Sequence, residues 1–97
     1  IPVDALLSMK LMAKALGAKK AGMAAGADVE RATGYVLGGV SPLGQKTRLP
    51  TLLDDSAAAY ATIFVSAGRR GMDMELAPDD LLALTHGRWA PLCQQAG

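Results

Sequence analysis

Gly38-Gly39-Val40-Ser41-Pro42-Leu43-Gly44, continued by Gln45-Lys46-Thr47-Arg48-Leu49-Pro50, places three glycines and two prolines in thirteen positions. The chemistry open to such a stretch belongs to its backbone. Glycine reaches positive φ and lets a ligand approach the main chain closely, and proline fixes φ while removing a donor. A loop built this way can aim bare N–H groups at a developing oxyanion. On composition alone, an ordinary turn between strands is the competing reading. Ser66 follows Thr62-Ile63-Phe64-Val65 and precedes the small residues Ala67 and Gly68. With no base beside it, a serine is a poor nucleophile. That leaves it to bond a substrate, to polarise a carbonyl, or simply to close a turn.

Other reactive side chains are sparse. There is one histidine, His86, and one cysteine, Cys93. Neither a Ser-His-Asp arrangement nor a metal-ligand spacing can be assembled from them. His86 falls at a predicted helix C-terminus, where an imidazole meets the helix dipole. Cys93 reads as a small apolar filler. The adjacent pairs Asp54-Asp55 and Asp79-Asp80 point their side chains apart, so they read as turn and cap acids rather than as an acid/base dyad. Basic residues cluster at Lys10, Lys14, Lys19 and Lys20, at Lys46 and Arg48, and at Arg69-Arg70. Such clusters suit phosphate contacts, and they equally suit a solvated surface.

The bulk numbers bound the class. The 97 residues predict one domain, and 51% hydrophobic against 20% charged content excludes disorder. Aromatic residues are only 4%, so the core must be built from Leu, Val, Ala and Met. The formal net charge of +1 gives no general pull toward nucleic acid or anionic membrane. A single cysteine fits a reducing compartment, and no apolar run approaches a membrane span. The chain opens Ile1-Pro2-Val3, unlike a secretory precursor, and reads as one that starts partway through a domain.

The elements that must position these groups follow from periodicity and punctuation. Asp4 to Leu16 predicts a helix, capped by Asp4 and closed by Gly17, with Leu7, Leu11 and Ala15 on one stripe. Ala21 to Ala24 reads weakly as a strand, and Asp28 to Thr33 as a short helix capped by Asp28 and ended by Gly34. Tyr35-Val36-Leu37 is expected to be a strand entering the glycine loop. Thr51-Leu52-Leu53 reads as another strand, and Ala57 to Tyr60 as a helical turn. The strand Thr62 to Val65, a turn over Ser66 to Gly71, and the alternating strand Met72 to Leu76 predict a hairpin. Ala77 to Leu84 is a helix with proline and acids in its first turn. His86-Gly87 ends it, and Arg88 to Cys93 is a short closing segment. The mixture predicts an α/β or α+β domain.

Three runs together carry a family resemblance. Thr33 to Lys46 with Arg48-Leu49-Pro50-Thr51, Ala61 to Leu76, and Lys14 to Lys20 resemble the YbaK/EbsC family of Cys-tRNA(Pro)/Cys-tRNA(Cys) deacylases, of the prolyl-tRNA synthetase-associated editing superfamily. The resemblance covers nearly all of the chain. It implies an α/β (α+β) fold, with a mostly antiparallel, barrel-like sheet packed with helices. It implies that residues 1–97 are the C-terminal portion of one editing domain whose N-terminal part is missing. The implied activity is trans-editing in the cytoplasm, with aminoacyl-tRNA (tRNA(Pro)) as substrate and prolyl-tRNA synthetase as docking partner. Neither cofactor, metal nor membrane is implied. The need for editing is physical, because a small apolar pocket discriminates by only about 10–200-fold per methylene.

The implied mechanism uses the substrate's own cysteine thiol as nucleophile, of hydrolase or lyase type. Gly38 and Ser66 are the implied catalytic residues, and Gly39, Ser41 and Pro42 the implied substrate-binding ones. Lys19, Lys20, Arg69 and Arg70 are the implied tRNA contacts. The family's lysine on an earlier strand is not among these residues, and the isolated piece is therefore expected to be unstable or inactive. Other readings are a deacylase for Ala-tRNA(Pro) or another mischarged tRNA, and a non-catalytic module that binds tRNA or synthetase.

Overall fold

Ser8, not Asp4, starts the first helix. In the computed structural model, which describes residues 1–95, α1 runs Met9–Leu16 and the Ser8 hydroxyl accepts from the Leu11 amide. The residues before it are spent on pairing. Leu7 bridges Cys93, the Ser8 amide donates to Leu92 O at 2.7 Å, and the Gln94 amide donates to Leu6 O at 2.7 Å. Extended backbone bonded this way cannot also be helical, so the expected start at Asp4 is corrected by four residues. Gly17 closes α1 in the left-handed region at φ 70°, as expected of a C-cap glycine.

The second helix, α2, spans Gly26–Thr33 and ends on Gly34 at φ 80°. Asp28 is not its cap. It lies in the first turn, paired with Arg31. The residues before α2, expected to be a strand, are irregular. The expected strand Tyr35 to Leu37 is also absent, because side chains take its amides. Tyr35 N–H donates to Thr33 Oγ1, and Leu37 N–H donates to Glu30 Oε2 at 2.8 Å. The glycine loop then returns to the helix it left. Lys46 and Thr47 donate their amides to the carbonyls of Thr33 and Ala32, satisfying acceptors that a helix end leaves open.

Four strands follow. β1 is Leu52–Asp54, β2 Ile63–Arg69, β3 Met72–Leu76 and β4 Arg88–Ala90, and the third helix, α3, is Pro78–Thr85. A 3-10 turn over Asp55–Ala59 leads from β1 toward β2. β2 and β3 are antiparallel, with Ile63 opposite Leu76 and Ser66 opposite Asp73. β1 and β4 run parallel, with Leu53 opposite Trp89. β4 was expected only as a closing segment; its three residues carry no alternation long enough to announce a strand.

The fold is thus mixed α/β as expected, but the barrel-like sheet is not found. Among the described residues the strands form two separate two-stranded sheets. The buried apolar residues are Ala13 of α1, Leu81 of α3, Ala90 of β4 and Leu92. α3 behaves as its sequence requires, with Pro78 at its start and Asp79 and Asp80 in the first turn, where the helix dipole favours acids.

Candidate active site

The glycine loop is pressed onto the tip of the β2–β3 hairpin. Gly39 donates its amide to Val36 O at 3.0 Å, closing a turn in which Gly38 holds φ 87°. Positive φ at the third turn position is the conformation glycine adopts most readily. A Cβ on Gly38 would sit 2.9 Å from Nε and Nη2 of Arg70, so that guanidinium lies directly on the turn. A Cβ on Gly39 would meet the backbone of Arg69 and Arg70 at 3.0–3.1 Å. Main chain packs on main chain here, so a larger residue would force the Arg69-Arg70 backbone to give way. The two expected amide donors therefore differ. The Gly39 N–H is committed to Val36, whereas no protein acceptor among the described residues takes the Gly38 N–H.

Tyr35 staples the loop to the hairpin. Its hydroxyl donates to Leu43 O at 2.5 Å, and its ring edge lies 2.8 Å from where a Gly68 Cβ would be. Gly68 sits in a β-bulge, at φ 96°, where the register shifts between Ser66 and Arg69. β2 consequently runs on through the residues expected to be a turn, and the reversal itself falls at Arg70-Gly71. The bulge explains the change. It lets a strand continue while re-aiming its side chains. Ser66 is half-buried, and its Oγ accepts from the Gly68 amide at 3.3 Å, leaving the hydroxyl hydrogen to donate.

Ser41 is 2% exposed. Its Oγ accepts from Leu43 N–H and its carbonyl from Gln45 Nε2 at 2.9 Å. A side chain so covered braces the loop, with its hydroxyl already bonded to the Leu43 amide. Pro42 lines a pocket of about 220 Å³ with Leu43, Arg48 and, from α3, Leu84 and Thr85; neither Gly38 nor Ser66 lines it. Arg69 and Arg70 stand at the hairpin tip beside the glycine loop. Lys19 and Lys20 instead share a trough with α1.

A second polar centre was only half legible. Asp54 was expected to be a cap, and it does accept from the Ser56 amide at the start of the 3-10 turn. It is also 5% exposed and ties distant segments together. Its carboxylate accepts from Ser56 Oγ at 2.5 Å and from the Leu92 amide at 2.9 Å. Burial pushes its pKa up. The Ser56 hydroxyl, the Leu92 and Ser56 amides and the Cys93 thiol outweigh burial and lower it from 3.8 to about 2. The same contact, with burial as the larger cause, raises the Cys93 thiol. Cys93 is thereby a poor nucleophile. His86 caps α3 in the left-handed region at φ 55°. Among the described residues no three His, Cys, Asp or Glu side chains gather where a metal could sit, and no helix is long and apolar enough to cross a membrane.

Three contributors went unread in the sequence: Arg70 as a lid on Gly38, Tyr35 as a staple, and Gly68 as its seat. A glycine inside a strand pattern marks a bulge or a close approach, and that was the available signal for Gly68. Nothing local announces where the Arg70 side chain goes.

The fold and this loop-on-hairpin arrangement define an aminoacyl-tRNA editing domain. Residues 1–84 match the family model of that name, and the chain belongs to the family. Over 92 residues it is 48% identical to EbsC of Enterococcus faecalis, a candidate Cys-tRNA(Pro)/Cys-tRNA(Cys) deacylase, covering 95% of this chain and 56% of that protein. The solved structure of a candidate trans-editing enzyme for prolyl-tRNA synthetase superposes with TM-score 0.87 at 27% identity, covering 98% of this chain and 60% of that one. A structure from work on epitope backbone grafting onto scaffold proteins superposes with TM-score 0.86 at 28% identity, covering 99% and 61% respectively. The chain thus spans less than two thirds of the length of these relatives.

Proposed function

We propose that the protein removes cysteine from mischarged tRNA, with Cys-tRNA(Pro) and Cys-tRNA(Cys) as substrates, in trans to prolyl-tRNA synthetase. The observation that supports this reading is the Gly38 amide, which no protein acceptor among the described residues takes, in a turn packed against the Arg70 guanidinium. The named relative at 48% identity supports the substrate class.

The reaction needs no protein nucleophile. The substrate's thiol loses its proton and its sulfur attacks the ester carbonyl. A C–S bond forms, the C–O bond to the terminal ribose breaks, and the ribose hydroxyl takes a proton. The amino acid leaves as a cyclic thioester, which water opens. The Gly38 N–H serves as the oxyanion donor, a role generally worth about 2.7–4 kcal/mol. Holding thiol and carbonyl in register contributes about 7–11 kcal/mol in well-oriented reactions. Ser66 donates its remaining hydroxyl hydrogen to the substrate, and Gly39 gives the close backbone approach that keeps Gly38 in place. Pro42 stiffens the loop. Arg69 and Arg70 meet phosphates near the charged end of the tRNA, and Lys19 and Lys20 contact its backbone further off.

The test is deacylation of Cys-, Ala- and Ser-charged tRNA(Pro) by the full-length protein, with the cysteinyl thiol free or alkylated. Cysteine is expected to be released only when its thiol is free. Hydrolysis that persists after alkylation would reject the substrate-assisted route. Preferential release of alanine would move the substrate within the family, and binding without turnover would leave a non-catalytic module.

A further inference from the structure

Lys10 and Lys14 lie one turn apart on the same face of α1, about 6 Å along its axis. Gly17 then reverses the chain, and the Ala18 amide bonds back to Ala13 O at 2.9 Å. The reversal brings Lys19 and Lys20 back beside the helix. All four lysines line one open trough of about 580 Å³, floored by Met9 and Ala13 among others, with no carboxylate in its lining. All four are exposed. The ion pair found among the described residues is Arg31–Asp28, so none of the four is neutralised by one. Like charges at i and i+4 repel, and here two more are folded onto them, in a chain whose net charge is only +1. The repulsion is relieved by a ligand that is itself a row of negative charges.

From this we infer that the trough is a binding surface for the phosphodiester backbone of RNA, with Lys10 and Lys14 as contacts alongside Lys19 and Lys20. The inference rests on the reading that the protein acts on aminoacyl-tRNA, and it assigns that substrate a second, extended contact separate from the glycine loop. An open trough lined by four cations suits successive phosphates better than a single anion, which calls for a closed pocket of convergent donors. The apolar lining of Met9 and the alanines offers the lysine stems a surface to cover while their ammonium groups stay in water.

The experiment titrates uncharged tRNA onto the full-length protein over a salt series. It compares wild type with Lys10→Gln/Lys14→Gln, with Lys19→Gln/Lys20→Gln, and with the fourfold variant. Each lysine removed is expected to flatten the slope of log K against log salt by about 0.7–0.9. The fourfold variant should lose at least about tenfold in affinity at low salt, on the same counterion-release grounds. The fourfold Lys→Arg variant should keep wild-type binding, which separates charge from folding. The ratio of kcat/KM on charged tRNA to kcat/KM on a cysteinyl ester of adenosine should fall with affinity. Unchanged affinity and slope in the fourfold variant overturn the inference. So does competition by polyglutamate as effective as that by duplex RNA, which would mark the trough as a seat for an acidic protein. Trough-dependent RNA binding without hydrolysis of any cysteinyl ester would uphold this surface while sinking the deacylase reading.

Discussion

The glycine loop and the Asp54 junction use polar groups in opposite ways. Around Asp54 every strong group is spent. A buried carboxylate takes donors from Ser56 and from Leu92 of the closing segment. At the loop the backbone is held just as firmly, by Tyr35, by the Arg69-Arg70 main chain and by the return to α2. Yet among the described residues the Gly38 amide has no protein acceptor. A buried polar network stabilises a fold only when it is fully satisfied. An amide fixed in place and left open is available to a ligand. The contrast sets a fully satisfied polar centre against the one proposed for chemistry, where the proposed oxyanion donor is main chain rather than side chain.

Replacing Gly38 by Ala should have the largest effect. The new Cβ meets the Arg70 guanidinium at 2.9 Å and must adopt φ 87°. Displacing one oxyanion donor is expected to lower kcat by about 10²–10³-fold. Circular dichroism melts should show only about 1–2 kcal/mol of lost stability, the cost of left-handed backbone. Asp54→Ala should do the reverse. It strands the Leu92 and Ser56 donors and should cost about 2–3 kcal/mol of stability. Single-turnover kcat, measured well below the melting temperature, should stay within about twofold of wild type, because the proposed chemistry at the loop uses none of these groups.

Acid sharpens the same contrast. The folded pKa of Asp54 is about 2 against an ordinary 3.8, so as pH falls the unfolded chain takes up the proton first. The contribution, about 2 kcal/mol, is complete above about pH 4 and is lost as pH falls through about 2. Denaturant titrations across that window should show it, and Asp54→Asn should flatten it. Tyr35→Phe removes the bond to Leu43 O and should cost about 1 kcal/mol. The smallest effect is expected from Cys93→Ser, with less than about a twofold change in deacylation, since the proposed route takes its attacking thiol from the substrate and burial raises the protein's own thiol.

Much of this was written in local sequence. Gly17 and Gly34 close helices where expected, Pro78 and its following acids start α3, and alternation over Met72 to Leu76 marks a strand. These features depend on neighbours within a turn or two, where backbone sterics and caps decide. The family runs likewise pointed to the editing domain, and they contain the positive-φ glycines of the loop and the bulge, Gly38, Gly44 and Gly68.

Other features took shape only once the chain had folded. Leu7 pairs with Cys93, Asp54 reaches Leu92, β4 lies beside β1, and Arg70 covers Gly38. Each joins residues far enough apart in sequence, or side chains free enough in rotamer, that no periodicity records the contact. Helix or strand is a choice a few residues make among themselves. Which amide is left open for a substrate depends on where every other donor and acceptor has gone, and that accounting closes only in three dimensions.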